Sequence, residues 1–349
     1  MRSFDYSILP ATLETNEVFS SLLALREYRG KQRLWENTVP DVLDALIQVA
    51  KVQSTESSNR IEGIVTTEKR LKELMAQKVS PKNRDEREIA GYRDVLNLIH
   101  ESYGGIPLTP GVILQLHRDL MAHAGLEMGG RWKDSDNVIV ARDARGNTYV
   151  RFRPMPALLT PGAVEQLCDT YRQALAVERY DPLLLTMRFI FDFVSIHPFS
   201  DGNGRMSRLL TVLATERVGY SVARFISLEK LIERNKQLYY EVLAESSQGW
   251  ETGENDEGPF IRFMLAIMVG AYHDLEDRVN DASAGQTKAA RVRSVFNRRL
   301  GNVSKAMILE EYPDISESTV EVALRNLLEE GFIRKVGQGR NTSYVRLKW

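Results

Sequence analysis

The sequence predicts a mainly α-helical protein with one β-hairpin inside its helical part and a small helical module with a second hairpin at its C-terminus. Three observations indicate this fold class. Apolar residues recur three and four positions apart over most of the chain. Two β-favouring segments flank a Gly-Asn turn in "NVIVARDARGNTYVRF", and residues 302–349 read as two helices followed by a Gly-rich turn between two more β-favouring runs. A chain of 349 residues is expected to form two or three domains.

The composition is that of an ordinary globular protein. Apolar residues make up 43%, and 46 Lys and Arg balance 47 Asp and Glu, which argues against a chain that coats nucleic acid or membrane along its whole length. The single cysteine, Cys168, excludes an intrachain disulfide and fits a buried apolar role in a reducing compartment. The N-terminus lacks a signal-peptide apolar region, and the longest apolar run, residues 263–272, is too short to span a bilayer. These features predict a soluble cytoplasmic protein without membrane contact.

Helices are predicted in order along the chain from four N-terminal runs, several of them closed by glycine: residues 18–30, 39–54, 89–105 and 110–125. A hairpin at about Asn137–Phe152 follows, and helical spacing resumes in residues 163–177, 181–196 and 205–219. The polar "WETGENDEGP" (residues 250–259) is predicted to be a surface loop, and "NDASAG" (residues 280–285) a linker. The predicted domains are a helical region over 1–85, a core over 86–280 and a C-terminal domain over 286–349.

The stretch "HPFSDGNGRMSR", residues 197–208, interrupts this helical pattern and combines several chemical groups. Gly202 and Gly204 let the backbone turn sharply and bring its N–H groups close to a ligand. The helix that follows adds unpaired first-turn donors, and Arg205 and Arg208 project from one face of it. Together these groups predict a phosphate site.

Two further side chains in this stretch indicate chemistry as well as binding. The carboxylate of Asp201 would be unfavourable beside phosphates unless a hard cation lies between them, so Mg²⁺ is implied. His197 could accept a proton from an attacking hydroxyl at neutral pH.

The stretch resembles the signature of the Fic domain, His-x-Phe-x-[Asp/Glu]-Gly-Asn-Gly-Arg-x-x-Arg, at every specified position. The resemblance implies a Fic-type helical core that transfers AMP from ATP to a Ser, Thr or Tyr hydroxyl of a target protein. It implies His197 as general base, Asp201 as the Mg²⁺ ligand and Phe199 as the anchor of the loop. By the same resemblance the phosphates are bound by Gly202, Asn203 and Gly204, with Arg205 at the β-phosphate and Arg208 at the γ-phosphate.

Two other segments gain an interpretation from this resemblance. Fic proteins place a hairpin flap over the site and align a target segment beside it, so residues 137–152 are predicted to be this flap, with a purely structural hairpin as the alternative. The pair Tyr239 and Tyr240 resembles a Tyr-Tyr that lies near adenine in Fic proteins, and a core role is equally open.

A second motif, "SSNRIEG", stands near the N-terminus. Ser58 and Glu62 are four residues apart and share one face of a predicted helix that Gly63 ends. The motif resembles the inhibitory sequence [Ser/Thr]-x-x-x-Glu-[Gly/Asn] of Fic proteins. The resemblance implies that Glu62 pairs with Arg208 and denies it to the γ-phosphate.

The C-terminal domain is predicted to be a winged helix, with a recognition helix after Ser316 and a wing around residues 337–341. From residue 285 onward, twelve Lys and Arg stand against seven Asp and Glu, which favours DNA, but four glutamates on the helix after Ser316 do not. Contact with DNA and contact with protein therefore both stay open, as does a homodimer.

The leading hypothesis is an autoinhibited protein adenylyltransferase. The alternatives are a DNA-binding regulator whose core senses nucleotide and a Fic enzyme that removes AMP. The remaining histidines show no metal-ligand spacing and are predicted to be structural or solvent-facing: His100, His117, His123 and His273.

Overall fold

The computed structural model describes residues 4–125, 129–142, 148–283, 287–299, 301–339 and 342–347. It confirms the predicted class, since the chain is mostly helical and its two small sheets are hairpins. The helices are α1 (Asn16–Thr38), α2 (Pro40–Ile61), α3 (Glu68–Met75), α4 (Arg84–Ser102), α5 (Pro110–Met121), α6 (Thr160–Val177), α7 (Pro182–Ile196), α8 (Asn203–Arg217), α9 (Leu228–Arg234), α10 (Lys236–Ser246), α11 (Gly258–Ser283), α12 (Lys288–Arg298), α13 (Lys305–Glu311) and α14 (Glu317–Glu329). The strands are β1 (Ile139–Arg142), β2 (Thr148–Phe152), β3 (Ile333–Val336) and β4 (Ser343–Arg346).

Helix α7 forms the centre of the main hydrophobic core. Every residue from Leu183 to Ile196 is buried, and the helix packs between α6 and α8, with α11 alongside. A helix that is buried on all sides is surrounded by other elements, so its C-terminal end, where the loop of interest begins, is held firmly.

Two local predictions were wrong, for physical reasons. Helix α1 does not end at Gly30 but continues to Thr38, because Gln32 and Trp35 beyond the glycine bury against the core. The segment "WETGENDEGP" is exposed only in its middle: Trp250 is buried and donates from Nε1 to Asp192 at 2.8 Å, and Glu257 pairs with Arg188 at 2.6 Å in the interior. The polar composition of this segment gives no sign that two of its residues bond partners in the interior.

The first hairpin pairs β1 with β2 in antiparallel register, with an irregularity between Ile139 and Val140. Its turn, residues 143–147, lies outside the described residues. Val140 and Tyr149 are each about half exposed, at 53% and 51%, so the hairpin projects from the helical core rather than packing into it. An exposed strand edge of this kind can pair with another chain.

Residues after α11 form a module with its own hydrophobic cluster, built from α12, α13, α14 and β3. The predicted linker is only partly accounted for: residues 280–283 belong to α11, and residues 284–286 lie outside the described residues. The module contains three helices followed by a hairpin, and the winged-helix and domain assignments stay predictions. The predicted wing also includes residues 340 and 341, which lie outside the described residues.

The C-terminal module contacts the helical core through Glu310 of α13. Its carboxylate accepts from Gln53 of α2 at 2.8 Å and pairs with Lys230 of α9, while its carbonyl oxygen accepts from Arg278 of α11. Glu310 therefore connects the module to three helices of the core, and Asp281 of α11 adds a contact to Arg298 of α12 at 2.6 Å.

Candidate active site

The loop between α7 and α8 forms one wall of a cavity of about 390 Å³. Residues at the end of α2 and in the first turns of α4 complete it, so the linear motif and the second motif meet in space. The lining includes Glu62, Arg84, Glu88, His197, Asp201, Gly204 and Arg205.

His197 caps the C-terminus of α7 in a left-handed backbone conformation, with φ 51° and ψ 61°. This conformation costs a non-glycine residue about 1–2 kcal/mol, so the surrounding structure must hold it. Burial lowers the pKa of the imidazole to about 4, and the nearby charge of Lys133 acts in the same direction, whereas the carbonyl of Val194 opposes both. Its Nδ1 atom is buried and makes no well-formed hydrogen bond to any residue that the structure describes. The ring is therefore neutral at pH 7 and able to accept a proton.

The loop after His197 is braced by its own asparagine. The side chain of Asn203 accepts from the N–H of Phe199 at 2.8 Å and donates to the carbonyl oxygen of Phe199 at 2.7 Å. The side-chain amide of Asn203 already makes two hydrogen bonds inside the loop, so the backbone N–H of Asn203, at the start of α8, is the group best placed for the predicted phosphate contact. Phe199 itself is fully buried, at the position of the predicted anchor.

His117 of α5 also contacts this loop and helps to hold it. Its ring stacks on Phe199 with centroids 3.6 Å apart. Its Nδ1 accepts from the N–H of Gly130 at 3.1 Å, so Nε2 carries the proton and donates to the carbonyl oxygen of Asp201, also at 3.1 Å. Burial lowers the pKa of His117 to about 4, which keeps this neutral form. The histidine predicted to be structural is thus structural, but within the site.

Asp201 extends its carboxylate into the cavity with its side chain 41% exposed. One oxygen contacts Arg84 at 3.2 Å, and the other lies 3.6 Å from Arg205. Buried Glu88 holds both arginines: it contacts Arg84 at 2.6 Å and Arg205 at 2.6 Å. Sequence reasoning missed Glu88 and Arg84, which belong to α4 and carry no signal of their own beyond an Arg-x-x-x-Glu spacing.

Arg208 is directed toward α2 and is almost completely enclosed. Its Nε donates to the hydroxyl of Ser58 at 2.7 Å, and its NH2 donates to the carbonyl oxygen of Ser58 at 2.9 Å and to Glu62 at 2.7 Å. Burial opposes the charge, but Glu62 outweighs it, and the net effect raises the pKa of Arg208. The guanidinium is therefore charged and engaged by both residues of the second motif.

The end of α2 explains why Glu62 reaches this position. Gly63 adopts φ 82°, its N–H bonds the carbonyl oxygen of Arg60, and the N–H of Ile64 bonds that of Asn59. This is a Schellman ending, which turns the chain after Glu62. A side chain at Gly204 would collide with the Glu62 carboxylate, so the glycine allows the carboxylate to lie against the first turn of α8.

The two tyrosines of α10 differ in their burial. Tyr239 is buried and packs against Phe260 and Phe263, as a core residue does. Tyr240 is partly buried, and burial together with the charge of Glu62 raises its pKa to about 12. Both lie close enough to Arg208 and Glu62 to interact electrostatically with them. An adenine contact of either ring stays a prediction.

The groups present fit a magnesium ion that is bound together with a nucleotide. No cluster of three or more His, Cys, Asp or Glu able to hold a metal occurs in the described ranges. Mg²⁺, however, needs only one or two carboxylates when phosphates and water supply the other ligands, and Asp201 offers such a carboxylate at the cavity. The remaining histidines pair elsewhere: His100 with Glu216, His123 with Asp94 and His273 with Asp277.

No helix of the described residues is long and apolar enough to cross a membrane. Cys168 is buried, and burial raises the pKa of its thiol to about 12, as expected of a packed apolar residue.

The chain is similar in sequence to known proteins. Residues 107–215 match the model of the Fic/DOC family. Among curated proteins, the protein adenylyltransferase Fic of Nematostella vectensis is 25% identical over 228 residues, 62% of this chain and 47% of the relative. That of Drosophila yakuba is 30% identical over 211 residues, 58% of this chain and 37% of the relative. The chain thus spans less than half of the length of these curated relatives.

Solved structures agree on the fold. A Fic family protein from Desulfovibrio desulfuricans G20 superposes with a TM-score of 0.62 over 99% of this chain and 98% of that one, at 20% identity. A Fic domain containing signaling protein from Bacteroides thetaiotaomicron has the same TM-score, at 22% identity, over 76% of this chain and 98% of that one.

Proposed function

Because residues 107–215 match the model of the Fic/DOC family, we propose that this chain is a protein adenylyltransferase that transfers AMP from ATP to a hydroxyl of a target protein. The observation that carries the proposal is the joint placement of a neutral His197, the carboxylate of Asp201 and the first turn of α8 around one cavity. The names of the curated relatives support the same reaction.

In the proposed reaction, the hydroxyl oxygen of a target Ser, Thr or Tyr attacks the α-phosphorus of ATP. The bond between that phosphorus and the bridging oxygen breaks, and pyrophosphate leaves. His197 takes the hydroxyl proton, for which its low pKa keeps the ring unprotonated. Holding the two reactants in line is the main contribution of the protein in such a transfer.

The phosphates are proposed to lie over the N-terminus of α8, where unpaired backbone N–H groups and the helix dipole favour anions. Asp201 would hold Mg²⁺ there, and the ion would neutralise charge on the leaving pyrophosphate. Arg205 lines the cavity and is fixed by Glu88 at 2.6 Å, so it would contact the β-phosphate region with the N–H groups that Glu88 does not engage.

We further propose that Glu62 inhibits this reaction. Its contact with Arg208 is the one that a γ-phosphate would need, and a carboxylate against the first turn of α8 competes with any anion there. Autoinhibition is supported by the enclosure of Arg208 between Ser58 and Glu62. It predicts a resting protein whose site is assembled but restrained.

The first hairpin is proposed to receive the target segment. Its exposed Val140 and Tyr149 offer apolar contacts beside a free strand edge. Strand addition would place one hydroxyl in register with the site.

Removal of AMP from a target is the alternative within the same class, and the site offers no observation that prefers it. DNA contact through the C-terminal module likewise stays a proposal. Against it, Lys305 pairs with Glu317 and Glu321 on α14 and leaves this helix surface acidic. A binding titration across salt would decide, since DNA contact weakens steeply with salt.

The test of the main proposal is incubation of the Glu62→Gly protein with labelled ATP, Mg²⁺ and cell lysate, followed by mass spectrometry of labelled proteins. AMP attached to a Ser, Thr or Tyr is the expected result, on this chain or on a target. Its absence from the Glu62→Gly protein, when that protein is folded and binds ATP, would refute adenylyl transfer.

A further inference from the structure

A buried lysine lies directly behind the loop that carries His197. Lys133 is 3% exposed and precedes the first hairpin. Its backbone N–H donates to the carbonyl oxygen of Pro198 at 2.9 Å, and its Nζ donates to the carbonyl oxygen of Ile196 at 3.3 Å. One residue therefore bonds the backbone on both sides of the histidine.

The neighbouring Asn137 completes this arrangement. Its Oδ1 accepts from Nζ of Lys133 at 3.0 Å, and its Nδ2 donates to the carbonyl oxygen of Phe199 at 3.4 Å. The segment from residue 133 to 137 thus binds three carbonyl groups of the loop, those of Ile196, Pro198 and Phe199. Because this segment leads into β1, it also joins the hairpin to the loop.

We propose that Lys133 is a positioning residue for His197: it fixes the backbone on both sides of the imidazole and keeps a positive charge beside the ring. The geometry explains how a non-glycine residue stays in the left-handed conformation at this point, since the peptide group before His197 and the one after Pro198 are both held from outside the loop. The effect of Lys133 on catalysis rests on the proposed function. Its effect on the backbone and the protonation of His197 does not depend on that function.

The charges around the imidazole agree with this role. Lys133 and Arg151 favour the neutral ring, whereas Glu62 favours the protonated one. Burial lowers the pKa of Lys133 to about 8, so its ammonium group remains largely charged at neutral pH. Among the described residues, the buried ammonium of Lys133 bonds an amide oxygen and a carbonyl oxygen but no carboxylate, and only the nearby charge of Asp136 favours its charged form. Such a group is expensive to bury, and packing alone does not explain it.

The first test measures His197 directly, without any assay of activity. The chain has five histidines, so ¹³C-labelled histidine gives a simple NMR titration, in which His197→Asn assigns the signal. Lys133→Met removes the charge but keeps the length of the side chain, and it should raise the pKa of His197 by about one unit or more. Lys133→Arg keeps the charge and should leave that pKa low. Lys69→Met, at an exposed position of α3, is the matched control and should leave the pKa of His197 unchanged.

The second test uses kinetics in the Glu62→Gly background. Lys133→Met should lower kcat for AMP incorporation at least tenfold with little change in KM for ATP, because the base and not the nucleotide site is disturbed. Should Lys133→Met fail to fold, Asn137→Ala at a partly buried position replaces it, and hydrogen exchange at the N–H groups of His197 and Phe199 should then accelerate.

The proposal is overturned if folded Lys133→Met shows an unchanged pKa of His197, or if Asn137→Ala leaves exchange in the loop as in the parent protein. If the Glu62→Gly parent itself transfers no AMP, the proposed function fails, and the NMR titration still decides the role of Lys133.

Discussion

Replacement of Glu62 by glycine tests the restraint at Arg208. The carboxylate makes one charge-assisted hydrogen bond to Arg208 at 2.7 Å, with its side chain 32% exposed. Such a bond contributes about 1.5–3 kcal/mol. If a γ-phosphate must displace it before ATP binds productively, the same free energy is the penalty on the productive complex. At about 1.4 kcal/mol for each factor of ten, Glu62→Gly should raise the rate of AMP incorporation about 10- to 150-fold.

The assay is the initial rate of labelled AMP incorporation, on the chain itself or on a target, at fixed ATP and Mg²⁺. Glu62→Gln keeps the size of the side chain without its charge, so its rate should fall between those of the parent and the glycine variant. Glu68→Ala on α3 is the matched control, because this glutamate is exposed and pairs with Lys72 on the same helix. Its rate of AMP incorporation should equal that of the parent protein. The double variant Glu62→Gly, His197→Ala should lose the gain.

Equal rates for the parent and Glu62→Gly, with melting temperatures and ATP binding retained, would refute the reasoning. Arg208 would then be available to the nucleotide in spite of its contact with Glu62. A gain that survives in the double variant would show that the labelling does not depend on the histidine.

Three further predictions follow from the loop. His197→Ala in the Glu62→Gly background should abolish AMP transfer while ATP binding, measured by calorimetry, persists; lost binding would indicate a structural histidine instead. Asn203→Ala leaves the buried N–H of Phe199 unpaired and leaves its carbonyl oxygen with the 3.4 Å contact from Asn137, so it should lower the free energy of unfolding by about 1–3 kcal/mol in urea titrations, and an unaltered midpoint would contradict the bracing role. His117 has a pKa of about 4 when folded and about 6.5 when unfolded, so the unfolded chain binds its proton first and stability falls as pH drops through this window. Between pH 7 and pH 5 this histidine should account for about 2 kcal/mol of the loss, and His117→Gln, compared by urea unfolding at both pH values, should lose that much less; an equal loss would argue against a buried neutral ring.

The helices could be predicted from the sequence because their apolar faces pack against one another and leave a regular spacing. That rule failed where packing overrode a local signal. Gly30 is read as a helix end, yet the buried Trp35 five residues later extends α1 past it. Trp250 is read as part of a polar loop, yet its indole bonds a buried carboxylate of α7 that is far away in sequence.

The residues of the site likewise fall into those that the sequence reveals and those that it does not. The groups between His197 and Arg208 are contiguous, so one stretch of sequence suffices to find them. Lys133 and Glu88 reach the loop from other elements through the topology of the fold, and neither has a spacing that points to its partner. Asn203 shows a further limit, because its residue type fits a phosphate contact while its side chain is used to brace the loop.

The bracing of the loop also bears on the thermodynamics of ligand binding. Ordering one backbone residue costs about 1–2 kcal/mol of conformational entropy, so arranging the seven residues from His197 to Asn203 represents on the order of 10 kcal/mol. That entropy is lost when the chain folds, and the internal bonds of Asn203 and the contact of His117 with the Asp201 carbonyl oxygen keep the loop in its folded arrangement. A nucleotide that reaches the cavity therefore meets a preorganised surface, and little of its binding free energy is consumed in shaping the loop.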